Sequence, residues 1–215
     1  MIRLTKHSCA HVLLATMISG VLLGCATTSG ARPEDMSAKA HEEEAAREAE
    51  KAEKHADKYD PNYVGGAGAD AAFEGVDFNP TESHNIQAQR HSKHAADHTA
   101  AAESLRGAEE EACESIATES RSWCPLLGPV VATEKTRDGV RVSIKEGTDV
   151  EEMVARVRCH IAYGDTQGRE GMDRCPLYIE GVEVEQTGPN TIELRVKGRA
   201  NVQELQERVA AHTGE

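Results

Sequence analysis

Aromatic side chains are scarce in this chain. Phe, Trp and Tyr make up 3% of its 215 residues. Aromatic rings supply much of the buried area of a large core, and they stack on sugars in carbohydrate-binding clefts. Their scarcity therefore argues against one core spanning the whole chain and against a cleft of stacked rings. We expect a small folded domain together with a polar segment.

Basic residues are also few. Lys and Arg number 24 against 37 Asp and Glu, so the formal net charge is −13. A surface with this excess of negative charge repels phosphate backbones. We therefore expect no nucleic-acid partner.

The common catalytic motifs are missing. The sequence contains no GxSxG elbow, no phosphate-binding GxxxxGK loop and no HExxH pair. Acidic residues alone do not identify a paired-carboxylate hydrolase, so that class stays open. The sequence predicts a protein that is not an enzyme.

The first 24 residues have the pattern of an export signal. Arg3 and Lys6 precede an apolar run from Val12 to Leu23, which is too short to span a bilayer as a helix. The junction Leu22-Leu23-Gly24-Cys25-Ala26 resembles the lipobox of bacterial lipoproteins. This resemblance implies that Cys25 carries the acyl chains of an N-terminal membrane anchor, and Ala26 after it favours the outer membrane. The alternative is an ordinary secretory signal with a fortuitous cysteine.

Two polar segments follow. Residues 25–58 are rich in Ala, Glu and Lys and contain no Val, Ile or Leu. This composition predicts a solvated acidic spacer, helical in part, with His41 and His55 exposed. Residues 59–80 combine glycines with four aromatic residues, which indicates either a strap that packs on the folded body or a docking motif for another protein.

A long helix is predicted over residues 81–122, beginning at Thr81 or Ser83. It carries a stripe of histidines on one face: His84, His91, His94 and His98. Three interpretations stay open for this stripe. It is the polar half of a packing face or dimer seam, a pH-sensitive interface, or a transition-metal site for Zn, Cu or Ni completed by a partner helix, a dimer mate or His160.

Residues 123–215 contain an internal repeat, with copies at about 124–162 and 175–213. Each copy enters through Cys-Pro-Leu, continues with short β-branched runs and ends in a helical pattern. Asp138-Gly139 predicts a hairpin turn, and Asp149 predicts a helix N-cap. We expect an α+β fold, in which a duplicated ββα unit forms a four-stranded, mainly antiparallel sheet with helices on one face. His160 and its repeat mate His212 are predicted near helix C-termini.

Four cysteines remain after the signal segment and Cys25 are set aside: Cys113, Cys124, Cys159 and Cys175. An even number in an exported chain indicates two disulfides. The repeat favours the symmetric pairing of Cys113 with Cys124 and of Cys159 with Cys175. A four-cysteine metal site is the rival interpretation, although no CxxC spacing supports it.

Together these features predict a lipid-anchored protein of the bacterial cell envelope. Its leading role is that of an interaction or assembly module without a cofactor, which contacts a protein partner or self-associates through the long helix. The alternative is a periplasmic metal-binding lipoprotein that uses the stripe, mainly His91, His94 and His98.

Overall fold

The computed structural model describes residues 29–63, 79–172 and 174–213. These residues form an α+β fold with four α-helices and one four-stranded sheet. In chain order the elements are α1 (Ala38–Ala56), α2 (Glu82–Ala112), β1 (Val130–Lys135), β2 (Gly139–Ile144), α3 (Val150–Gln167), β3 (Glu183–Gly188), β4 (Thr191–Arg195) and α4 (Arg199–Thr213). The predicted export signal and Cys25 lie outside the described residues.

The sheet is antiparallel throughout, with strand order β1-β2-β4-β3. The predicted hairpin around Asp138-Gly139 is confirmed, since β1 pairs with β2. Gly139 is required where β2 meets β4, because a Cβ there would lie 1.8 Å from the carbonyl oxygen of Leu194. The β1–β2 pair and the β3–β4 pair are joined through β2 and β4, where Val140 lies opposite Leu194.

The core lies on one face of this sheet. Alternate residues of the central strands point inward, and Val142, Ile192 and Leu194 are fully buried. They pack in one cluster with Val157 of α3 and Leu205 of α4. Burial of each such aliphatic side chain contributes roughly 1.5–3 kcal/mol. The predicted packing of helices against one face is confirmed, and the order strand-strand-helix occurs twice. The duplication itself stays a prediction.

The helix α3 begins as its sequence predicts and ends later. The side chain of Asp149 caps it by accepting a hydrogen bond from the backbone N–H of Glu152 at 3.0 Å. It continues to Gln167, so His160 lies inside the helix and the predicted position near its C-terminus is wrong. The side chain of His160 is consequently held by the interior of the fold.

The solvated spacer predicted for residues 25–58 is not confirmed. Residues 38–56 form α1, which packs lengthwise on α2, and His41 is fully buried whereas its exposure was predicted. His55 is partly buried. The composition argument failed because alanines let the two helices approach closely, and because histidines of α1 meet polar partners on α2.

The long helix α2 ends at Ala112, about ten residues before the predicted end. It packs beside α3. Of the predicted strap, residues 64–78 lie outside the described part of the chain. The ends of that segment are close together, since the Asn79 side chain donates to the carbonyl of Asp60 at 2.7 Å. Among the described residues, none of the helices has the length and apolar character needed to cross a membrane.

Candidate metal centre

The structure pairs Cys113 with Cys159 in a disulfide. The predicted symmetric pairing of Cys113 with Cys124 and of Cys159 with Cys175 is therefore wrong. The physical reason is the packing of α2 beside α3, which places Cys113, just after α2, against the middle of α3. Both cysteines of the disulfide are fully buried. The other two, Cys124 and Cys175, are free thiols.

These two free thiols meet each other. The Sγ atoms of Cys124 and Cys175 lie 3.7 Å apart. Each cysteine precedes Pro-Leu, and the two leucines, Leu126 and Leu177, are buried in the core. The matching leucine anchors hold the two cysteines on one side of the domain.

A third donor comes from α3. His160 is 2% exposed, and its Nε2 lies 3.4 Å from the Sγ of Cys175. Its Nδ1 lies 2.8 Å from the backbone carbonyl oxygen of Arg121. A carbonyl only accepts, so Nδ1 carries the proton and donates it. The lone pair of neutral His160 is then on Nε2 and faces the cysteines. A metal-ligating histidine typically has this tautomer and donates its other ring N–H to a carbonyl in the same way.

The imidazole ring is held on its face by an aromatic ring. Tyr178 stacks on His160 with ring centroids 4.6 Å apart and planes tilted by 15°. Gly164, one helical turn beyond His160, makes this stacking possible. A Cβ at Gly164 would lie 2.4 Å from Cε1 of Tyr178. The glycine therefore leaves the space in which the tyrosine ring supports the histidine.

The surroundings separate the acidities of the two thiols. The hydrogen bond with Cys124, assisted by the Leu177 N–H, lowers the pKa of Cys175 against the effect of burial. The hydrogen bond with Cys175, together with burial, raises the pKa of Cys124. Cys175 is therefore the more acidic of the two thiols.

Two of the three spacings among the donor atoms match the edges of a tetrahedral metal site. Metal–sulfur bonds of about 2.3 Å and metal–nitrogen bonds of about 2.0–2.1 Å place tetrahedral ligands about 3.8 Å apart for two sulfurs and about 3.5 Å for sulfur and nitrogen. The observed distances are 3.7 Å and 3.4 Å. Within the described residues, the three donor atoms of Cys124, His160 and Cys175 all lie within 4.8 Å of one another.

A cleft gives access to this cluster. Cys124 lines a cavity of about 290 Å³ together with Trp123, Leu127 and Arg156. Trp123 and Leu127 are 76% and 60% exposed. The cluster supplies three protein ligands, so the fourth position of a tetrahedral ion is left for water or for a ligand that enters from solvent.

The histidine stripe lies elsewhere and faces α1. His91 contacts Glu48, His94 lies 3.6 Å from the same carboxylate, and His98 contacts His41. His84 contacts His55. The structure thus distributes the stripe over successive contacts along the helix, and its members do not converge on one point. His160, the predicted extra ligand, belongs to the cysteine cluster instead.

Sequence reasoning missed this combination of Cys124, Cys175 and His160. The signal was present in the repeat. Cys124 and Cys175 occupy equivalent positions at the entries of the two copies. Equivalent entries meet when the two copies join side by side, as they do along β2 and β4. Pairing each cysteine with its equivalent, rather than with its neighbour in sequence, would have brought these two together.

Comparison with known proteins gives no relative from which a function can be transferred. No family model matches the chain, and no curated protein or solved structure is similar enough to count as a match.

Proposed function

We propose that this chain is a lipid-anchored protein of the bacterial cell envelope whose folded domain binds a thiophilic metal ion, Zn²⁺ or Cu⁺. Cys124, Cys175 and His160 are the ligands. The observation that carries the proposal is the pair of donor distances, 3.7 Å between the sulfurs and 3.4 Å from sulfur to imidazole nitrogen. Both match the edges of a tetrahedral site.

The donor set selects the ion. Two thiolates and one imidazole favour Zn²⁺ and Cu⁺, whereas Mg²⁺ and Ca²⁺ prefer oxygen ligands. Binding releases the proton of Cys124, because a metal-bound thiol is deprotonated. Affinity is therefore expected to rise with pH while Cys124 is still protonated in the metal-free protein.

The chain around the cluster is suited to holding the ligands in place. His160 keeps its proton on Nδ1 through the Arg121 carbonyl, and Tyr178 fixes the plane of the ring. Such outer contacts typically change metal affinity by about 10–100-fold when they are lost. A site arranged in this way requires little reorganisation on binding.

Metal titration tests the proposal. The full mature chain, with Cys25→Ser so that it is obtained without lipid, is titrated with Zn²⁺ against a chromophoric chelator under argon. Co²⁺ serves as a second probe, because sulfur-to-cobalt charge transfer reports the thiolate ligands. We expect one ion per chain, and a loss of affinity of at least 100-fold in Cys175→Ser and in Cys124→Ser.

The matched control is His212→Ala, which removes the histidine at the repeat position equivalent to His160. It is expected to bind metal as the parent does, whereas His160→Ala is expected to bind weakly. Mass spectrometry of the isolated parent shows whether Cys124 and Cys175 are joined in a disulfide instead. If the parent contains a second disulfide, between Cys124 and Cys175, and binds no metal, the proposal is overturned.

The lipid anchor has its own test. Cys25→Ser is expected to move the protein from the membrane fraction to the soluble fraction of the cells that make it, because the acyl chains supply the anchoring energy, about 0.8 kcal/mol per buried methylene. Incorporation of a labelled fatty acid into the parent and not into the variant is the direct measurement. Labelling of both proteins would contradict attachment at Cys25.

An interaction role is the second candidate function. Trp123 and Leu127 expose apolar surface beside the cysteine cluster. Exposed aromatic side chains at the edge of a cleft are typical of contact surfaces. A protein partner covering this cleft would contact Cys124 directly. Self-association through the long helix is less favoured, because α1 already covers the stripe.

A further inference from the structure

The contact between α1 and α2 is built from histidines where helix pairs usually have aliphatic residues. On α1, His41, Glu48 and His55 lie seven residues apart, and on α2 His84, His91 and His98 do the same. The two helices run in opposite directions, so these residues meet in three layers. We call the six residues the histidine seam: His41 with His98, Glu48 with His91, and His55 with His84.

The three layers are joined by direct hydrogen bonds. The Nδ1 atoms of His41 and His98 lie 2.9 Å apart, and those of His55 and His84 lie 3.0 Å apart. In the middle layer, His91 Nδ1 lies 2.6 Å from a carboxylate oxygen of Glu48. The outer layers are therefore pairs of imidazoles, and the middle layer is an imidazole–carboxylate pair.

Little apolar area supports the seam. Its buried apolar residues on α1 and α2 are alanines, including Ala38, Ala52 and Ala101. An alanine contributes much less burial than a leucine. The closed state of the two helices therefore depends largely on the polar pairs in the three layers.

Each outer pair keeps its hydrogen bond when one of its two neutral histidines is protonated, but loses it when both are protonated. A neutral pair is joined by one N–H that donates to the lone pair of the other ring. When both rings are imidazolium, two N–H groups and two positive charges face each other across 2.9–3.0 Å. That arrangement breaks the hydrogen bond and adds repulsion between the charges.

We propose that the histidine seam is an acid-operated clasp, which holds α1 on α2 at neutral pH and releases it under mildly acidic conditions. This inference is independent of metal binding and of the lipid anchor, since it uses neither the cysteine cluster nor Cys25. Released from α2, the 19-residue α1 adds a segment of about 28 Å between the N-terminal region and the folded domain.

The surroundings of the outer pairs determine the direction in which the pKa values of their histidines shift. Burial lowers the pKa of His41, and so does His98, while the nearby carbonyls of Arg32 and Pro33 and the carboxylate of Asp35 act in the opposite sense. Burial also lowers the pKa of His55, assisted by His84, His91 and Lys58. When α1 is packed on α2, both histidines therefore favour the neutral form.

In the middle layer, the Glu48 carboxylate stays ionised in the same pH range. Burial opposes ionisation of Glu48, but hydrogen bonds from Lys51 and His91 hold its pKa at about 2. His94 lies near the same carboxylate. Other charged groups around the two helices form ion pairs, among them Glu42–Arg106, Lys93–Asp97 and, on the adjoining α3, Asp165–Arg169. Lys39 and Glu43 lie beside this last pair.

The direction of the pH dependence follows from the difference in proton binding between the closed and open states. Opening returns His41 and His55 to an ordinary histidine pKa of about 6.5, so the open state takes up protons that the closed state does not hold. Closure is therefore fully favoured above about pH 6.5 and weakens as the pH falls below it. The Glu48 contribution persists through this window, because its pKa of about 2 lies far below.

Hydrogen exchange tests the clasp. Exchange of the α1 amides of the full mature Cys25→Ser chain is followed at pH 7.5 and pH 5.5 in the presence of a chelator and corrected for intrinsic rates. We expect protection of α1 to fall at least tenfold at the lower pH while protection of β2 is retained. Unchanged protection of α1 between the two pH values would overturn the proposal.

Two variants separate protonation from general instability. Changing His41, His98, His55 and His84 together to Leu replaces both outer layers with apolar pairs that do not titrate, and α1 is expected to stay protected at both pH values. His94→Gln, which leaves the outer layers intact, is expected to respond as the parent does. Loss of α1 protection at pH 5.5 in the four-leucine variant would also refute the clasp.

Discussion

Replacing both Cys113 and Cys159 with Ala is expected to lower the free energy of unfolding by about 4 kcal/mol, with a fall in melting temperature of roughly 10 °C. The disulfide closes a loop of 46 residues. It stabilises the folded state mainly because it lowers the conformational entropy of the unfolded chain. It also fastens the end of α2 to the middle of α3. Thermal and denaturant unfolding of parent and variant measure the difference.

The matched comparison is the double variant Cys124→Ala and Cys175→Ala, studied without metal. It removes two thiols from the same domain without removing a cross-link, so the change expected in unfolding free energy is much smaller. Equal losses in the two double variants would show that the Cys113–Cys159 bond contributes no more than the packing of its side chains.

The second large effect is expected at Gly164. Gly164→Ala places a methyl group 2.4 Å from Tyr178 Cε1 and 2.7 Å from Cδ1, so the ring has to leave its place over His160. Because Tyr178 is buried in the core, we expect a loss of about 1–3 kcal/mol in unfolding free energy. Metal affinity should fall as well, by about tenfold or more, since the ring that orients His160 is displaced.

Gly107→Ala is the control for helix propensity. Gly107 lies in α2, and a Cβ there meets no atom within 4 Å. This substitution is expected to stabilise the protein by up to about 1 kcal/mol, because alanine is the better helix former. Urea unfolding and Zn²⁺ titration of both variants make the comparison. Stabilisation by Gly164→Ala with unchanged metal affinity would contradict the role assigned to the Tyr178 contact.

The α+β domain was predictable because its elements carry local signals. Asp138-Gly139 marks the hairpin turn, Asp149 caps α3, and alternating β-branched residues mark the buried face of β2 and β4. These patterns act within a few residues of one another, so a single sequence reveals them. Only their coarse arrangement, one sheet with helices on one face, followed from the same reasoning.

The packing of α1 was not predictable from composition. A segment without Val, Ile or Leu has no apolar stripe, and the partners of His41 and His55 lie far along the chain, at His98 and His84. The stripe on α2 was visible, and its interpretation as a packing face agrees with the structure. The surface against which it packs was not visible, because polar pairing across helices leaves no hydrophobic pattern on the second helix.

The candidate metal centre was predictable in its parts and not in its assembly. Cys124, Cys175 and His160 were each singled out, but the pairing chosen within each copy of the repeat placed the cysteines in the wrong pairs. The preference for Cys113–Cys159 arises from the packing of α2 on α3, which no local pattern specifies.

Both edge strands of the sheet are interrupted. The pairing of β1 shifts register between Val130 and Ala132, and that of β3 shifts between Gln186 and Gly188. An unbroken edge offers a row of free backbone groups onto which another chain can add a strand, and a bulge disrupts that row. Val131, at the first interruption, is 61% exposed. On an unbroken edge strand, an exposed apolar side chain of this kind would favour aggregation. The interruptions therefore disfavour edge-to-edge polymerisation of the domain into fibres, even at high local concentration.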